Sequence, residues 1–211
     1  MYSFQNDYSE GAHPRILAAL GATNLDQTSG YGIDPYTDEA AALIRAQLQD
    51  DSAQVHFLAG GTQTNLVAIS AFLRPHEAAV CADTGHINVH ETGAIEATGH
   101  KVLAVPSPDG KLDSDALLPV LQFHADEHMV KPRLVYIPNA TEVGTCYTRA
   151  ELTALREFCT AHGLLLYLDG ARLGSALCCS DLTLPDICAL TDAFYIGGTK
   201  KIGRASCRER V

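Results

Sequence analysis

The stretch TRAELTALREFCTAHGLLLYLDGAR, Thr148 to Arg172, carries a complete helix-to-strand unit. Thr148 and Glu151 stand at capping-box spacing, so a helix begins there. Leu152, Leu155 and Phe158 then recur on one helical face through His162. Gly163 falls where a helix C-cap wants it. The run Leu164–Asp169 follows, apolar until its last residue, as a strand buried on both faces reads.

Outward from this unit the same alternation recurs. Short apolar runs lie at Val55–Leu58, Ala78–Ala82, Lys101–Val105, Arg133–Pro138 and Ala193–Gly197. Helical patterns lie between them, at Thr62–Leu73 (Leu66, Ile69, Ala71, Leu73) and Asp113–Phe123 (Leu117, Leu118, Leu121). Strands alternating with helices predict an α/β fold, a mainly parallel sheet with helices on both faces. The first fifty residues fit less well: an irregular segment, QTSGYGIDPYTDE, precedes a helix near Thr37–Gln49. The expected organisation is an N-terminal segment over 1–50, a large domain over 51–200 and a distinct tail over 201–211. No repeat, low-complexity tract or Pro/Ser-rich linker interrupts it.

Apolar residues make up 46% and charged residues 19%, which allows a sizeable core and excludes wholesale disorder. The net charge is −10, a poor balance for binding nucleic acid, where phosphates need a basic surface. No apolar run reaches membrane-spanning length. The N-terminus MYSFQNDYSEG has neither a basic start nor an apolar stretch, so no signal peptide is expected and the cytoplasm is the default. Seven cysteines, an odd number without a C-x-x-C pair, mostly in apolar contexts such as AAVCA and REFCTAHG, read as reduced thiols. The tail KIGRASCRERV changes composition abruptly, carrying +3 and leaving −13 on residues 1–200. It reads as a translated short-read sequencing adapter. Residues 201–211 are therefore expected to be non-native and are set aside from the fold. The alternative is a native basic interaction tail.

Four constellations carry chemistry, and each falls just after an expected strand, where α/β sheets bind ligands. Ala59-Gly60-Gly61-Thr62-Gln63-Thr64-Asn65 opens a helix. Its free N–H groups suit an anion, and Thr62 and Gln63 add donors. It is neither a Walker motif nor G-x-G-x-x-G, and a plain strand-to-helix turn is the bland alternative. Asp83-Thr84-Gly85-His86 leads to His90-Glu91. His86 and His90 have helical metal-ligand spacing, although the Glu is misplaced for H-E-x-x-H; a capping or surface pair is the bland alternative, and an imidazole after a strand also suits stacking on an aromatic ligand. Asp169, ending an apolar strand, is costly to bury unless paired. Either Arg172 is its salt-bridge partner or the carboxylate faces a protonated ring nitrogen. Lys200, beside Gly197 and Gly198, is a candidate Schiff-base amine, with an exposed loop lysine as the alternative. Together, a phosphate cradle, a stacking ring, a carboxylate for a pyridinium and an amine for an aldehyde describe a pyridoxal 5'-phosphate site.

The segments NDYSEGAHPRIL, GYGIDPYTDEA, FLAGGTQTNL, DTGHINVHETGA, PNATEVGTCYT, LDGARLGSAL and FYIGGTK resemble the aromatic amino acid β-eliminating lyase/threonine aldolase family over nearly all of residues 3–200. The resemblance implies a fold-type I large domain of the pyridoxal-phosphate transferase kind. It further implies that Gly61, Thr62 and Gln63 hold the cofactor phosphate, and that His86 stacks on the ring and helps move a proton. Asp169 would pair with the ring nitrogen, Arg172 would approach the phenolic oxygen and Lys200 would carry the cofactor. Asn6 and Asp7 would lie near substrate, and Tyr31 near the site of a neighbouring subunit in a homodimer or homotetramer. Glu91 belongs to a shared motif without an assigned role. The implied reaction is retro-aldol cleavage of threonine or allo-threonine to glycine and an aldehyde.

Two departures stand out. Where many family members read Asn-Thr-His-Asn-Gly, this chain reads Asn139-Ala140-Thr141-Glu142-Val143-Gly144. Thr141 thus replaces a substrate-contacting His, which leaves the threonine/allo-threonine preference open. The family's C-terminal small domain, with its carboxylate-binding arginines, has no counterpart after Lys200. The 211-residue chain is accordingly expected to be inactive as an aldolase, though its full-length parent would be active. Other readings remain open at this stage: another β-eliminating or transaminase-like reaction, a metal-dependent hydrolase using His86, His90 and Asp83, or a non-catalytic remnant that binds partners.

Overall fold

The computed structural model describes residues 5–9 and 11–200. They fall into two compact units, one running to Gly60 and resuming from Gly197, the other Gly61–Ile196. The tail 201–211 lies outside the described residues.

In the first unit, α1 (Pro14–Ala22) starts with proline in its first turn, and the His13 side chain accepts from the Arg15 N–H. Helix α2 (Pro35–Leu48) is capped by Asp34, whose carboxylate accepts from the Thr37 N–H at 2.9 Å. The irregular reading of the segment before α2 is matched by Tyr31, which sits at φ 65° with its side chain fully exposed. Val55–Leu58, expected as a strand, is not one. It pairs with no strand among the described residues, and Phe57 is 50% exposed. Apolar composition makes a strand only where a partner edge receives it.

The second unit is built on β1 (Glu77–Ala82), β2 (Val102–Val105), β3 (Lys131–Pro138), β4 (Leu165–Asp169) and β5 (Ala193–Phe194). Their order is β2-β1-β3-β4-β5, and every ladder is parallel. The expected strand over Ala193–Gly197 shrinks to two residues, with one further bond from the Tyr195 N–H to the Leu168 carbonyl. Helices α3 (Gly61–Phe72), α4 (His86–Val89), α5 (Ser114–Phe123), α6 (Arg149–Ala161), α7 (Leu173–Cys179) and α8 (Leu184–Leu190) complete the unit.

Side chains alternate across a strand, and here each alternate set meets its own helices. Val80, Val135, Ile137, Leu166 and Leu168 pack with Leu117 of α5, Leu152 and Leu155 of α6, Leu173 of α7 and Ile187 of α8. Ala79, Cys81, Leu134, Tyr136 and Tyr167 pack with Ile69 of α3 and Ile87 of α4. Helices thus cover both faces, as expected, and each fully buried Leu or Ile contributes about 1.5–3 kcal/mol. Among the described residues no single helix is long and apolar enough to cross a membrane.

The unit that announced the fold is built as its sequence reads. Thr148 and Glu151 form a reciprocal capping box. Gly163, at φ 65°, closes α6: its N–H donates to the Thr160 carbonyl and the Leu164 N–H to that of Cys159. Those two bonds make a Schellman motif, which turns the chain directly into β4. Gly170 is also obligatory. A Cβ there would lie 1.7 Å from the Tyr195 carbonyl oxygen.

Candidate active site at the carboxyl edge of the sheet

Strands β3 and β4 end side by side, with Pro138 opposite Asp169 in register. Tyr136 and Tyr167 also face each other across this pair, ring centroids 6.0 Å apart. Asp169 follows Tyr167 by two residues, so the period of a strand places it on the same face. The Tyr136 hydroxyl donates to Asp169 Oδ2 at 2.5 Å. The Ala171 N–H donates to Oδ1 at 2.9 Å. Asp169 is 3% exposed, and its burial is compensated by these neutral donors. Burial, with the charge of Asp169 adding to it, pushes the Tyr136 hydroxyl well above the usual phenol range, so it stays a donor. Tyr195 is shifted the same way by the same two causes.

Asn65, on α3 and fully buried, joins this carboxylate to a second one. Its Nδ2 donates to Asp169 Oδ2 at 3.2 Å and to Glu91 Oε1 at 2.7 Å, while its Oδ1 accepts from the Tyr167 hydroxyl at 2.9 Å. Glu91 Oε1 also lies 2.8 Å from Nδ1 of His86. The His86 side chain is 26% exposed and that of Glu91 0%. The hydrogen bond with Glu91 raises the His86 pKa, burial opposes it, and the charges of Glu91, Glu142 and Asp169 raise it further. Two buried polar atoms have no partner among the described residues: Glu91 Oε2 and Asn139 Nδ2.

The resulting arrangement is a polar, carboxylate-rich edge fed by β3, β4, α3 and α4, with the His86 imidazole reaching solvent. The beta-eliminating lyase family pattern matches residues 7–205, nearly the whole chain. The chain belongs to the beta-eliminating lyase family.

Members and neighbours of this lyase family agree with that placement. The low specificity L-threonine aldolase of Pseudomonas aeruginosa is 35% identical over 202 residues, covering 93% of this chain and 58% of its own length. A solved threonine aldolase from Leishmania major is 55% identical with a TM-score of 0.94, covering 96% of this chain and 60% of its own. An alanine–glyoxylate aminotransferase from Nostoc sp., 20% identical with a TM-score of 0.55, covers 80% of this chain and 43% of its own, and shares the fold. The fold is therefore the fold-type I large domain. The chain spans about 60% of the length of these two threonine aldolases.

Several expectations meet the structure directly. Arg172 is not the salt-bridge partner of Asp169. Its Nη1 lies 3.7 Å from Glu142 Oε2, and Asp169 is held instead by Tyr136, Asn65 and the Ala171 N–H. Gly61 begins α3 but follows no strand, and a Cβ on it would meet the Tyr195 hydroxyl at 3.0 Å. Thr62 and Gln63 are exposed in the first turn. Thr141 is 2% exposed, and its hydroxyl lies 2.7 Å from that of Thr145. His90 ends the single turn of α4, its ring centroid 5.5 Å from that of His86. Among the described residues no three His, Cys, Asp or Glu side chains are grouped to hold a metal, so the hydrolase reading of His86, His90 and Asp83 has no site.

Asn6, Asp7, Tyr31 and Lys200 belong to the first unit. Asn6 Oδ1 accepts from the Tyr8 N–H at 3.0 Å, and Lys200 is half-buried in a turn. Asn65, Tyr136, Tyr167 and Glu142 were not singled out from the sequence. Only the Tyr167–Asp169 spacing within one strand could have pointed to any of them.

Proposed function

We propose that this chain carries the pyridoxal 5'-phosphate half of a lyase that cleaves β-hydroxy-α-amino acids, threonine or allo-threonine, to glycine and an aldehyde. The observation that carries the reading is Asp169, buried at the carboxyl edge of a parallel sheet and held by neutral donors. A carboxylate kept there with no cationic side chain against it among the described residues suits a cationic ring nitrogen. The other residues fit the group as well. The first turn of α3 offers exposed Thr62 and Gln63 after Gly61 for a phosphate, and the His86 ring is accessible for stacking. Asn139 joins β3 to β4 through its backbone N–H, which donates to the Asp169 carbonyl, and its side-chain Nδ2 is buried without a partner among the described residues. Lys200 supplies the attachment amine and Arg172 approaches the phenolic oxygen. Asn6, Asp7, Tyr31 and Thr141 belong to the substrate side, with Tyr31 serving a neighbouring subunit of a homo-oligomer.

Bound there, the cofactor supplies an electron sink for the Cα–Cβ bond that breaks. The protein's part is positional and protic. Asp169 keeps the ring nitrogen charged and His86 covers the ring. The Nε2 of His86 takes the β-hydroxyl proton as the aldehyde leaves. Because the matched threonine aldolases extend well beyond this span, turnover is proposed for a protein of their full length and cofactor attachment for this chain.

Incubation with pyridoxal phosphate, borohydride reduction and peptide mapping test the attachment. The expected adduct is on Lys200 and disappears in Lys200→Ala. An adduct confined to Lys101, Lys111, Lys131 or Lys201, or none at all, overturns the reading.

A further inference from the structure

We propose that Glu91 and Asn65 are positioning residues: Glu91 holds His86 with Nδ1–H turned inward, leaving Nε2 to exchange protons, and Asn65 locks that pair to Asp169. The proposal deepens the cofactor reading above, since it takes His86 and Asp169 as the ligand-facing groups.

The geometry allows little else. Tyr167 donates to Asn65 Oδ1, which orients the amide and leaves its two N–H donors for the two carboxylates. The amide is fully committed and cannot rotate without losing all three bonds. Glu91 Oε1 receives one of those N–H groups together with Nδ1 of His86. A carboxylate only accepts, so the imidazole hydrogen sits on Nδ1 and the ring plane is set. His86 is on α4, Glu91 in the loop after it, Asn65 on α3 and Asp169 on β4. The bond from Asn65 to Asp169 closes 104 residues of chain, and no local rule of chain geometry demands it.

Glu91 is a poor choice for stability alone. Its second oxygen is buried without a partner, and such an atom costs folding free energy. A neutral residue of the same shape would serve the fold at least as well. What Glu91 adds is charge at Nδ1. The other groups facing His86 are Glu142 from the loop after β3, Asp169 from β4 and the His90 ring at the end of α4. Of the acidic groups, Glu91 is hydrogen-bonded to the ring.

The experiment follows the ring nitrogens of His86 in the 15N-histidine-labelled chain across pH, assigned by difference from His86→Asn. In the wild type the neutral ring should carry its hydrogen on Nδ1. In Glu91→Gln the titration midpoint should fall, and in Glu91→Ala, which removes the acceptor, the Nδ1–H preference should be lost as well. Glu142→Gln should lower the midpoint and keep the tautomer. The melting temperature of Glu91→Gln should not drop. An Nε2–H tautomer in the wild type overturns the proposal without any variant, as does a Glu91→Gln protein whose His86 titrates unchanged. The cofactor reading is scored separately: failure to trap Lys200 in the wild type sinks that reading and leaves the nitrogen shifts to judge the positioning pair.

Discussion

The two faces of the sheet are built from the same strands and differ in kind. On the face toward α5–α8 the alternate residues are Val135, Ile137, Leu166 and Leu168, packed on leucines and isoleucines. On the face toward α3 and α4 the same strands present Leu134, Tyr136 and Tyr167. The hydroxyls of those tyrosines end on Asp169 and Asn65. One face is an aliphatic layer whose atoms ask for nothing but contact. The other is a scaffold of phenols, apolar along their rings and polar at the tips, which carries hydrogen bonds to the carboxyl edge. A period of two lets one strand serve both purposes, so the aliphatic layer and the polar scaffold are separated by face along the same strands.

Substitutions test that separation. The largest effect is expected at the seam common to both faces. Gly170→Ala places a Cβ against the Tyr195 carbonyl and cannot be relieved without parting β4 from β5. A loss above about 4 kcal/mol is expected, seen as insoluble protein or no cooperative melt. A normally folding variant would refute the β4–β5 pairing. Next comes the aliphatic face, where Leu168→Ala should cost about 2–5 kcal/mol in urea unfolding. Tyr136→Phe, on the other face, removes a donor from buried Asp169 and should cost about 1–3 kcal/mol. Its affinity for the proposed pyridoxal 5'-phosphate should fall, whereas at equal temperature below unfolding Leu168→Ala should retain that affinity. Equal loss of affinity in both variants would erase the distinction between the faces.

The smallest effect lies far from the edge. Arg149 and Thr183 hold the Asp186 carboxyl down to about 2, from 3.8. A lowered folded value means the contribution is present above 3.8 and fades as pH falls toward 2. The urea midpoint of the wild type should therefore drop more than that of Asp186→Asn over that range. Parallel curves would show the ion pair to be inert.

What the sequence disclosed follows the range of the interactions. The capping box at Thr148, the Schellman glycine at 163 and the buried run ending in Asp169 depend on near neighbours, and all stand in the structure. Val55–Leu58 has a strand's composition and no partner, and partners are a matter of tertiary structure. Asp169 and His86 were legible as candidate site residues at ends of elements, and the structure links them through Asn65 and Glu91. Asn65, Glu142 and Tyr136 were not, because their meaning lies in contacts made far along the chain. Arg172 illustrates the limit: the nearest cation in sequence to Asp169 turned instead to Glu142.

The strand order β2-β1-β3 has a consequence for synthesis. Val80 must pair with Val135, 55 residues later in the chain. At translation rates of about 5–20 residues per second, the apolar β1 leaves the ribosome about 3–11 s before its central partner. During that interval Ala78–Ala82 has no β3 to cover it, and only β2 emerges early enough to shield one edge. Recruitment of a chaperone to the nascent chain is expected to peak in this window and to subside once β3 has emerged.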